Sequence, residues 1–210
     1  MRSNIKGLQV IENGDVLFDS DAKTENGDME TQLWLGAGVN LKSRVIEITG
    51  EVNEAMSSFV LRTIIKLNSI SNDPIYIYLS TYGGSVYDGC SIYDVLRTSP
   101  SPIIIIANGK VASMGVVIFL AGTERYAYPN TRFMIHSVSH ETGGTLKDTL
   151  IDVNEAKNVN DKMFDIISER SKLSRKSLAQ NTSHDVWFDV KQAEKWGLIT
   201  TKKKRKVTKK

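Results

Sequence analysis

The sequence predicts an α/β fold, in which a largely parallel β-sheet has its strands joined by helices. Short apolar runs alternate along the chain with segments whose apolar residues recur at helical spacing, which is the pattern of strands linked by right-handed crossovers. Some runs, such as 103–106, are apolar at every position. Because strands with one buried face alternate, this second observation predicts a sheet covered on both faces.

Length and composition predict a single compact domain. The 210 residues are 40% hydrophobic, which suffices for one core and leaves no room for two. No apolar run approaches the ~20 residues that span a bilayer, and the first residues lack the apolar core of a signal peptide. Cys90 is the sole cysteine, so no internal disulfide can form. We therefore expect a cytoplasmic protein without membrane contacts.

A basic tail dominates the charge of the chain. Seven of the nine residues from 202 to 210 are Lys or Arg, and they turn a net charge of −4 for the other residues into +3. Such a block repels itself, so we expect residues 201–210 to be a disordered, solubilising tail. Residues 202–207 also read like a nuclear-import signal. Any contact with nucleic acid is expected in this tail alone, since the rest of the chain offers no nucleic-acid surface.

The domain expected between the two ends spans residues 41–200. Residues 1–40 are polar and form a separate N-terminal segment, with a candidate strand at 16–18. From residue 44 onward, apolar runs predict strands and helical spacing predicts helices. The first elements are a strand at 45–50 that Gly50 ends, a helix at 54–68, a strand at 75–80 broken by Gly83 and Gly84, and a helix at 86–98.

The second half of the domain continues the alternation and ends in a long helix. The elements are a strand at 103–107, an apolar helix at 113–121, a segment at 125–128, a strand at 132–135 and an amphipathic helix at 145–170. At ~1.5 Å per residue the last helix is about 35–40 Å long. This exceeds what the core of such a domain requires, so we expect the helix to contact another subunit.

Ser113 is the candidate nucleophile. It lies where a buried strand gives way to an apolar helix, in a stretch with the small residues Ala112 and Gly115. Small neighbours let a substrate carbonyl approach the hydroxyl, and N–H groups at a helix start stabilise developing negative charge. Serine is also a common helix cap, and that structural role is the alternative.

Three further residues complete a catalytic pattern. His136 follows the strand at 132–135, at the end of the sheet where α/β folds bind their ligands. Asp185 precedes an apolar aromatic pair that would hold it against the core. A base to take the serine proton and a carboxylate to orient the base are what nucleophilic catalysis requires. The glycine pair that includes Gly84 lets backbone N–H groups approach a substrate.

Other polar residues compete for these roles. His140 lies in a polar loop, and His184 lies beside the acid, so solvated or structural roles are expected for both. Asp189 rivals Asp185, but its position is typical of a helix cap. Cys90 is expected to be a small core residue. With three histidines, one cysteine and no ligand spacing, the sequence predicts no metal site.

Four motifs, in order along the chain from about Arg44 to Ile199, resemble the ClpP family of Clp serine proteases. They are Tyr82-Gly83-Gly84-Ser85-Val86, Ala112-Ser113-Met114-Gly115, the segment from Pro129 to His136, and Asp185-Val186-Trp187-Phe188 followed by the segment from Ala193 to Ile199.

The resemblance implies a fold, a site and a set of partners. The fold is the superhelix of β-β-α units that ClpP shares with crotonases, with the long helix as a projecting handle. Ser113 matches the nucleophile, His136 the general base and Asp185 the orienting acid, and the N–H groups of Gly84 and Met114 match the oxyanion hole. Two seven-membered rings would interlock as a tetradecamer and degrade unfolded chains delivered by a separate AAA+ ATPase. No cofactor is implied, and the chain has no phosphate-loop motif.

The sequence also departs from the family pattern. Tyr82 replaces a proline before the glycine pair, Lys110 replaces a glutamine, and residues 137–142 replace the usual segment after the histidine. These changes bear on cleavage preference and ring contact. Residues 1–40, which form the axial gate in the family, do not match clearly. Such divergence would suit a phage-encoded or otherwise specialised member.

Other functions remain as alternatives at this point. An ATPase-independent processing protease, of the kind that matures capsids, and a non-catalytic ring scaffold would both keep the fold. A crotonase-like acyl-CoA enzyme would not need the serine, histidine and aspartate. The α/β-hydrolase pattern fails, because Val111 stands where that motif has glycine and because the acid follows the histidine in the chain.

Overall fold

The computed structural model describes residues 8–10, 16–18, 29–139 and 143–200. Two short strands, β1 (Leu8–Val10) and β2 (Val16–Phe18), pair antiparallel, and the second confirms the strand predicted there. The basic tail at 201–210 and most of the N-terminal 28 residues lie outside the described residues, as does His140.

The elements between residues 45 and 170 alternate as the sequence predicts, whereas a helix at 29–36 and a short strand at 39–40 are additions to the polar N-terminal segment expected there. The elements after the first two strands follow in chain order. They are α1 (Met29–Gly36), β3 (Val39–Asn40), β4 (Val45–Val52), α2 (Glu54–Ile70), β5 (Ile75–Gly84), α3 (Val86–Thr98), β6 (Ile103–Ala112), α4 (Met114–Leu120), β7 (Glu124–Ala127), β8 (Arg132–Ile135), α5 (Leu146–Arg170), α6 (Arg175–Asn181), β9 (Val186–Asp189) and α7 (Val190–Lys195).

A seven-stranded sheet organises the domain. Its order is β3-β4-β5-β6-β8-β9, with β7 also paired to β6. The centre is parallel, as predicted, whereas β3 and β9 pair antiparallel at the two edges. β6 divides its partners: residues 104–107 pair with β7 and residues 110–112 pair with β8. This division brings the end of β8 beside the end of β6.

The expectation of a sheet buried on both faces is wrong for β5. Its residues alternate, with Ile75, Ile77 and Leu79 buried while Tyr76 and Tyr78 are half-buried. The sequence misleads here because tyrosine counts as apolar yet keeps a hydroxyl that favours a wetter position. Burial and neighbouring hydroxyls raise the pKa of Tyr78 to about 12, so this face carries neutral phenols.

The glycine pair does not break β5, which is a second correction. Gly83 (φ +94°) and Gly84 (φ +148°) remain in the strand, where they pair with Glu51 and Val52 of β4. A Cβ on Gly84 would lie 2.3 Å from the carbonyl oxygen of Val52. The glycines therefore serve a close approach of two strands rather than a strand end.

The long helix α5 is confirmed within one residue of the predicted bounds. Thr145 and Asp148 form a capping box at its start, and hydrogen bonds from Thr145 lower the pKa of Asp148. Its C-terminal half is buried in the core, whereas its N-terminal half exposes apolar side chains. The buried residues are Met163, Phe164, Ile166 and Ile167, and the exposed ones are Leu146, Leu150, Ile151 and Val153. None of the helices in the described ranges is both long and apolar enough to cross a membrane.

The buried helix α4 packs directly against β5. A Cβ on Gly115 would lie 2.4 Å from the Cγ2 of Thr81. Thr81 has little freedom to move, because its hydroxyl donates to the carbonyl of Gly50 at 2.6 Å and accepts from the N–H of Gly83 at 3.0 Å. The short distance between α4 and β5 therefore depends on residue 115 being a glycine, which has no side chain.

We predict that Gly115→Ala lowers the free energy of unfolding by about 1–3 kcal/mol, the usual cost of overpacking a core. Chemical denaturation measures this change. Gly36→Ala is the matched control, because a Cβ on Gly36 meets nothing within 4 Å, and its stability should equal or exceed that of the wild type. Equal stability of the two variants would contradict the prediction.

Candidate active site

Ser113 occupies a strained turn between β6 and α4. Its backbone has φ +55° and ψ −123°, a conformation that non-glycine residues rarely adopt. Its N–H donates to the carbonyl of Met134 at 2.9 Å, so the turn is held by β8. The side chain makes no capping hydrogen bond to α4, which rules out the helix-cap alternative.

Two glycines, Gly83 and Gly89, leave space for this turn. A Cβ on Gly83 would lie 2.7 Å from the Cβ of Ser113 and 3.0 Å from the backbone nitrogen of Met114. A Cβ on Gly89 of α3 would lie 2.2 Å from the Cγ of Met114, whose side chain is fully buried. The ends of β5 and β6 thus approach each other closely at Ser113, and the side chain of Met114 serves packing.

His136 lies directly after β8 and contacts the serine. Its Nε2 is 2.7 Å from the Oγ of Ser113, a normal hydrogen-bond length. The imidazole is 22% exposed, so part of the ring is accessible to an incoming group. The structure therefore brings together two residues that lie 23 positions apart in the sequence.

Asp185 stands on the far side of the imidazole. The antiparallel register of β8 and β9 pairs Ile135 with Val186, which places the next residues, His136 and Asp185, opposite each other. The Oδ1 of Asp185 is 3.5 Å from the Nδ1 of His136, and the carboxylate is 56% exposed. This contact is longer than a tight charge-assisted hydrogen bond. Catalytic hydrogen bonds are often long in the absence of substrate.

The rival residues have other partners. Asp189 caps α7, as predicted, by accepting a hydrogen bond from the N–H of Gln192 at 2.8 Å. His184 contacts the hydroxyl of its neighbour Ser183 at 3.3 Å. Cys90 packs against the core, and burial raises the pKa of its thiol, which is consistent with the predicted core role.

The two glycines after Tyr82 differ in the availability of their amides. The N–H of Gly83 donates to the Thr81 hydroxyl at 3.0 Å, and the N–H of Ser85 donates to the carbonyl of Val52 at 2.8 Å. Both of these amides are engaged within the protein. This arrangement favours Gly84, the residue between them, as the one that could face a substrate.

Two positions that depart from the family pattern contact each other. The ammonium group of Lys110 on β6 lies over the ring of Tyr82 on β5, a cation–π contact. Lys110 is also paired in register with Arg132 of β8, so two cations lie side by side on the sheet. The sequence shows two separate differences from the family pattern, and the structure shows that the two side chains contact each other beside Gly83.

Sequence reasoning missed the residues that hold the segment after His136. The N–H of Ser137 donates to the carbonyl of Thr182 at 2.8 Å, and the N–H of Val138 donates to the Oδ1 of Asn160 at 3.0 Å. Neither Asn160 nor Thr182 carries a motif that could have identified it. Within the described ranges, no group of three or more His, Cys, Asp or Glu side chains is placed to hold a metal ion.

Comparison with known proteins identifies relatives of this chain. The model of the family described as Clp protease matches residues 33–204. The chain is 33% identical over 163 residues to the ATP-dependent Clp protease proteolytic subunit 2 of Treponema pallidum, covering 76% of this chain and 82% of that protein. It is 32% identical over 181 residues to the proteolytic subunit 3 of Rhizobium etli, covering 84% and 93%.

A solved structure shares both the fold and the sequence pattern. A mutant of ClpP1 from Listeria monocytogenes superposes with a TM-score of 0.71 at 30% identity, covering 76% of this chain and 90% of that one. The family match extends over most of the chain and includes every residue of the Ser113 site. The chain therefore belongs to the Clp protease family, a family of serine peptidases.

Proposed function

We propose that this Clp-type serine protease subunit hydrolyses peptide bonds of unfolded polypeptides with Ser113 as nucleophile, His136 as general base and Asp185 as orienting acid. The observation that carries the proposal is the 2.7 Å contact between the Oγ of Ser113 and the Nε2 of His136. A serine oxygen this close to an imidazole nitrogen, in a turn that makes no use of it as a cap, is arranged for proton transfer.

The reaction follows from these positions. The Oγ of Ser113 attacks the peptide carbonyl carbon while the Nε2 of His136 takes the hydroxyl proton. His136 then gives this proton to the departing amine, and the C–N bond breaks to leave an acyl-enzyme. A water molecule then attacks the acyl-enzyme carbonyl while His136 takes its proton, and His136 returns this proton to the Oγ of Ser113. This step releases the substrate fragment that ends in the new carboxyl group. Asp185 keeps the Nδ1 of His136 protonated and stabilises the imidazolium that forms twice per cycle.

The oxyanion of each tetrahedral intermediate would be held by the N–H groups of Gly84 and Met114. The support is twofold. The amides on both sides of Gly84 are already engaged, and Met114 is the first residue of α4, where helical N–H groups have no partner within the helix. The backbone nitrogen of Met114 also lies close to Gly83, the residue before Gly84.

Members of this family form oligomeric rings that work with Clp ATPases. For this chain we propose seven-membered rings stacked as a tetradecamer, with α5 as the contact between rings. The support is the apolar surface of the N-terminal half of α5, where Leu146, Leu150, Ile151 and Val153 are each more than half exposed in the single subunit. Apolar patches of this kind mark protein–protein contacts.

A separate AAA+ ATPase is the proposed source of unfolded substrate, and the cytoplasm is the proposed compartment. The curated relatives are named ATP-dependent, which supports the first proposal, and the sequence contains no phosphate-loop motif. An ATPase-independent processing protease or a ring scaffold would share the fold, so both are outcomes that the experiments below distinguish. The family match leaves no support for the crotonase-like acyl-CoA alternative.

We predict that a fluorophosphonate probe labels Ser113 covalently and that the protein alone cleaves short fluorogenic peptides. Ser113→Ala should abolish labelling and lower kcat by several orders of magnitude, since removing one triad member disables the unit. Mass spectrometry of the labelled peptide and initial-rate kinetics make these measurements.

The same assay separates the alternatives. An unfolded model protein should be degraded rapidly only when a Clp-type ATPase and ATP are added. Equally rapid degradation without the ATPase would identify a self-sufficient processing protease. A wild type that labels no better than Ser113→Ala would contradict the catalytic proposal and leave the ring scaffold.

A comparison of two aspartates tests the choice of acid. We predict that Asp185→Asn lowers kcat by about 10³- to 10⁴-fold, because the imidazole loses the group that sets its tautomer. Asp189→Asn should keep near-wild-type kcat, because an asparagine side chain also caps a helix. As a control, both variants should form the same oligomer as the wild type. Loss of activity in Asp189→Asn alone would reverse the assignment.

The role of α5 is tested by charge. We predict that Leu150→Asp, which places a carboxylate on the exposed apolar face, converts the double ring into single rings or smaller species. Light scattering measures the mass. Lys157→Asp is a control for added negative charge at another exposed position of the same helix. A wild type that is a stable monomer would contradict the assembly proposal.

A further inference from the structure

His136 stands at the point where the sheet ends. β8 pairs with β6 as far as residue 134 and with β9 as far as residue 135, and residues 136–139 continue without regular structure. A displacement of about 1 Å in a catalytic group can cost 10²-fold in rate. How firmly the imidazole is aimed at Ser113 therefore depends on what holds the backbone just beyond it.

Thr182 holds the first residue of this segment. The N–H of Ser137 donates to the carbonyl of Thr182 at 2.8 Å, and the two hydroxyls are 3.2 Å apart. The hydroxyl of Thr182 donates in turn to the carbonyl of Leu178 at 2.7 Å, and the residue is only 3% exposed. Thr182 lies three positions before Asp185, so one short segment positions both the acid and the residue next to the base.

Asn160 holds the second residue. Its Oδ1 accepts the N–H of Val138 at 3.0 Å, across 22 positions of sequence. The donor is a backbone amide, so the side chain must present its oxygen, which settles the orientation of the Asn160 amide. The chain offers this half-buried N–H no strand partner, because β8 has already ended at Ile135.

The position of Asn160 on α5 separates it from the core. Met163 and the following turns are buried, whereas Leu150 and Val153 project away from the domain. Asn160 lies between these two parts and is half-buried. The hydrogen bond that its Oδ1 accepts from Val138 is the contact that we assign a role.

We propose that Asn160 is a positioning residue for His136. Its Oδ1 fixes the amide of Val138, and this keeps the Nε2 of His136 within hydrogen-bond distance of the Ser113 hydroxyl. The inference rests on the proposed function, since it assigns Asn160 a role in the proton transfer proposed there. Because Asn160 touches no reacting atom, its loss acts through the position of His136 and therefore on the chemical step.

The test compares variants that remove or keep the acceptor oxygen. Asn160→Leu has nearly the same size and no acceptor, and we expect kcat for a short fluorogenic peptide to fall about 10- to 100-fold with KM within about twofold. The rate of fluorophosphonate labelling of Ser113 should fall in parallel. Asn160→Asp retains an oxygen at this position and should restore kcat to within about threefold of the wild type. Melting temperature and ring mass should match the wild type in both.

Asn158→Leu is the matched control. Asn158 is exposed on the same helix and its amide donates to Glu155 one turn away, at 3.3 Å, so its loss should leave kcat unchanged. Should Asn160→Leu fail to fold, Asn160→Ala replaces it, because alanine is the best helix former.

The inference is overturned by a folded, assembled Asn160→Leu or Asn160→Ala enzyme with kcat within twofold of the wild type. It is also overturned if Asn160→Asp loses as much activity as Asn160→Leu, since the acceptor oxygen would then have no effect. A wild type that Ser113-directed probes do not label would instead overturn the proposed function itself.

Discussion

The close approach of β5 to the end of β6 is the constraint on which the site depends. A Cβ on Gly83 would stand 2.7 Å from that of Ser113, and one on Gly115 would stand 2.4 Å from Thr81. Side chains at these positions would push the strand ends apart and carry the nucleophile away from the glycine amides. The small residues around Ser113 thus serve packing and substrate access together, which is why they read as a catalytic motif in the sequence.

Periodicity predicted the alternation of strands and helices, and the motifs predicted which residues meet. The errors have physical causes. Tyr76 and Tyr78 made β5 look apolar on both faces, although a phenol tolerates a wet face. The glycine pair looked like a strand end because its close contact with Val52 lies in another strand. The role of Asn160 could not be predicted for a related reason. A single hydrogen bond between a side chain and a distant backbone amide produces no periodic pattern or motif in the sequence.

Lys110 and Tyr82 both differ from the family pattern, and their side chains contact each other. A proline at position 82 would stiffen the edge of β5, and its replacement by tyrosine removes that restraint. The ring instead lies under the ammonium group of Lys110, and exposed cation–π contacts contribute about 0.5–1 kcal/mol. Tyr82 is 71% exposed, so the contact borders open space beside Gly83. The end of β5 that contains Gly84 is therefore linked to β6 by this side-chain contact. Lys110 also places a positive charge beside it.

Charge attraction contributes little to the alignment of the three catalytic side chains. The carboxylate of Asp185 is 56% exposed and 3.5 Å from His136, and ion pairs this exposed contribute at most about 1 kcal/mol. Alignment must then come from the backbone. The register of β8 with β9 places Asp185 opposite His136, the amide of Ser113 is held by Met134, and the segment after His136 is held by Thr182 and Asn160. Because Asn160 belongs to the helix that projects from the domain, a shift of that helix would reach the imidazole through a single hydrogen bond.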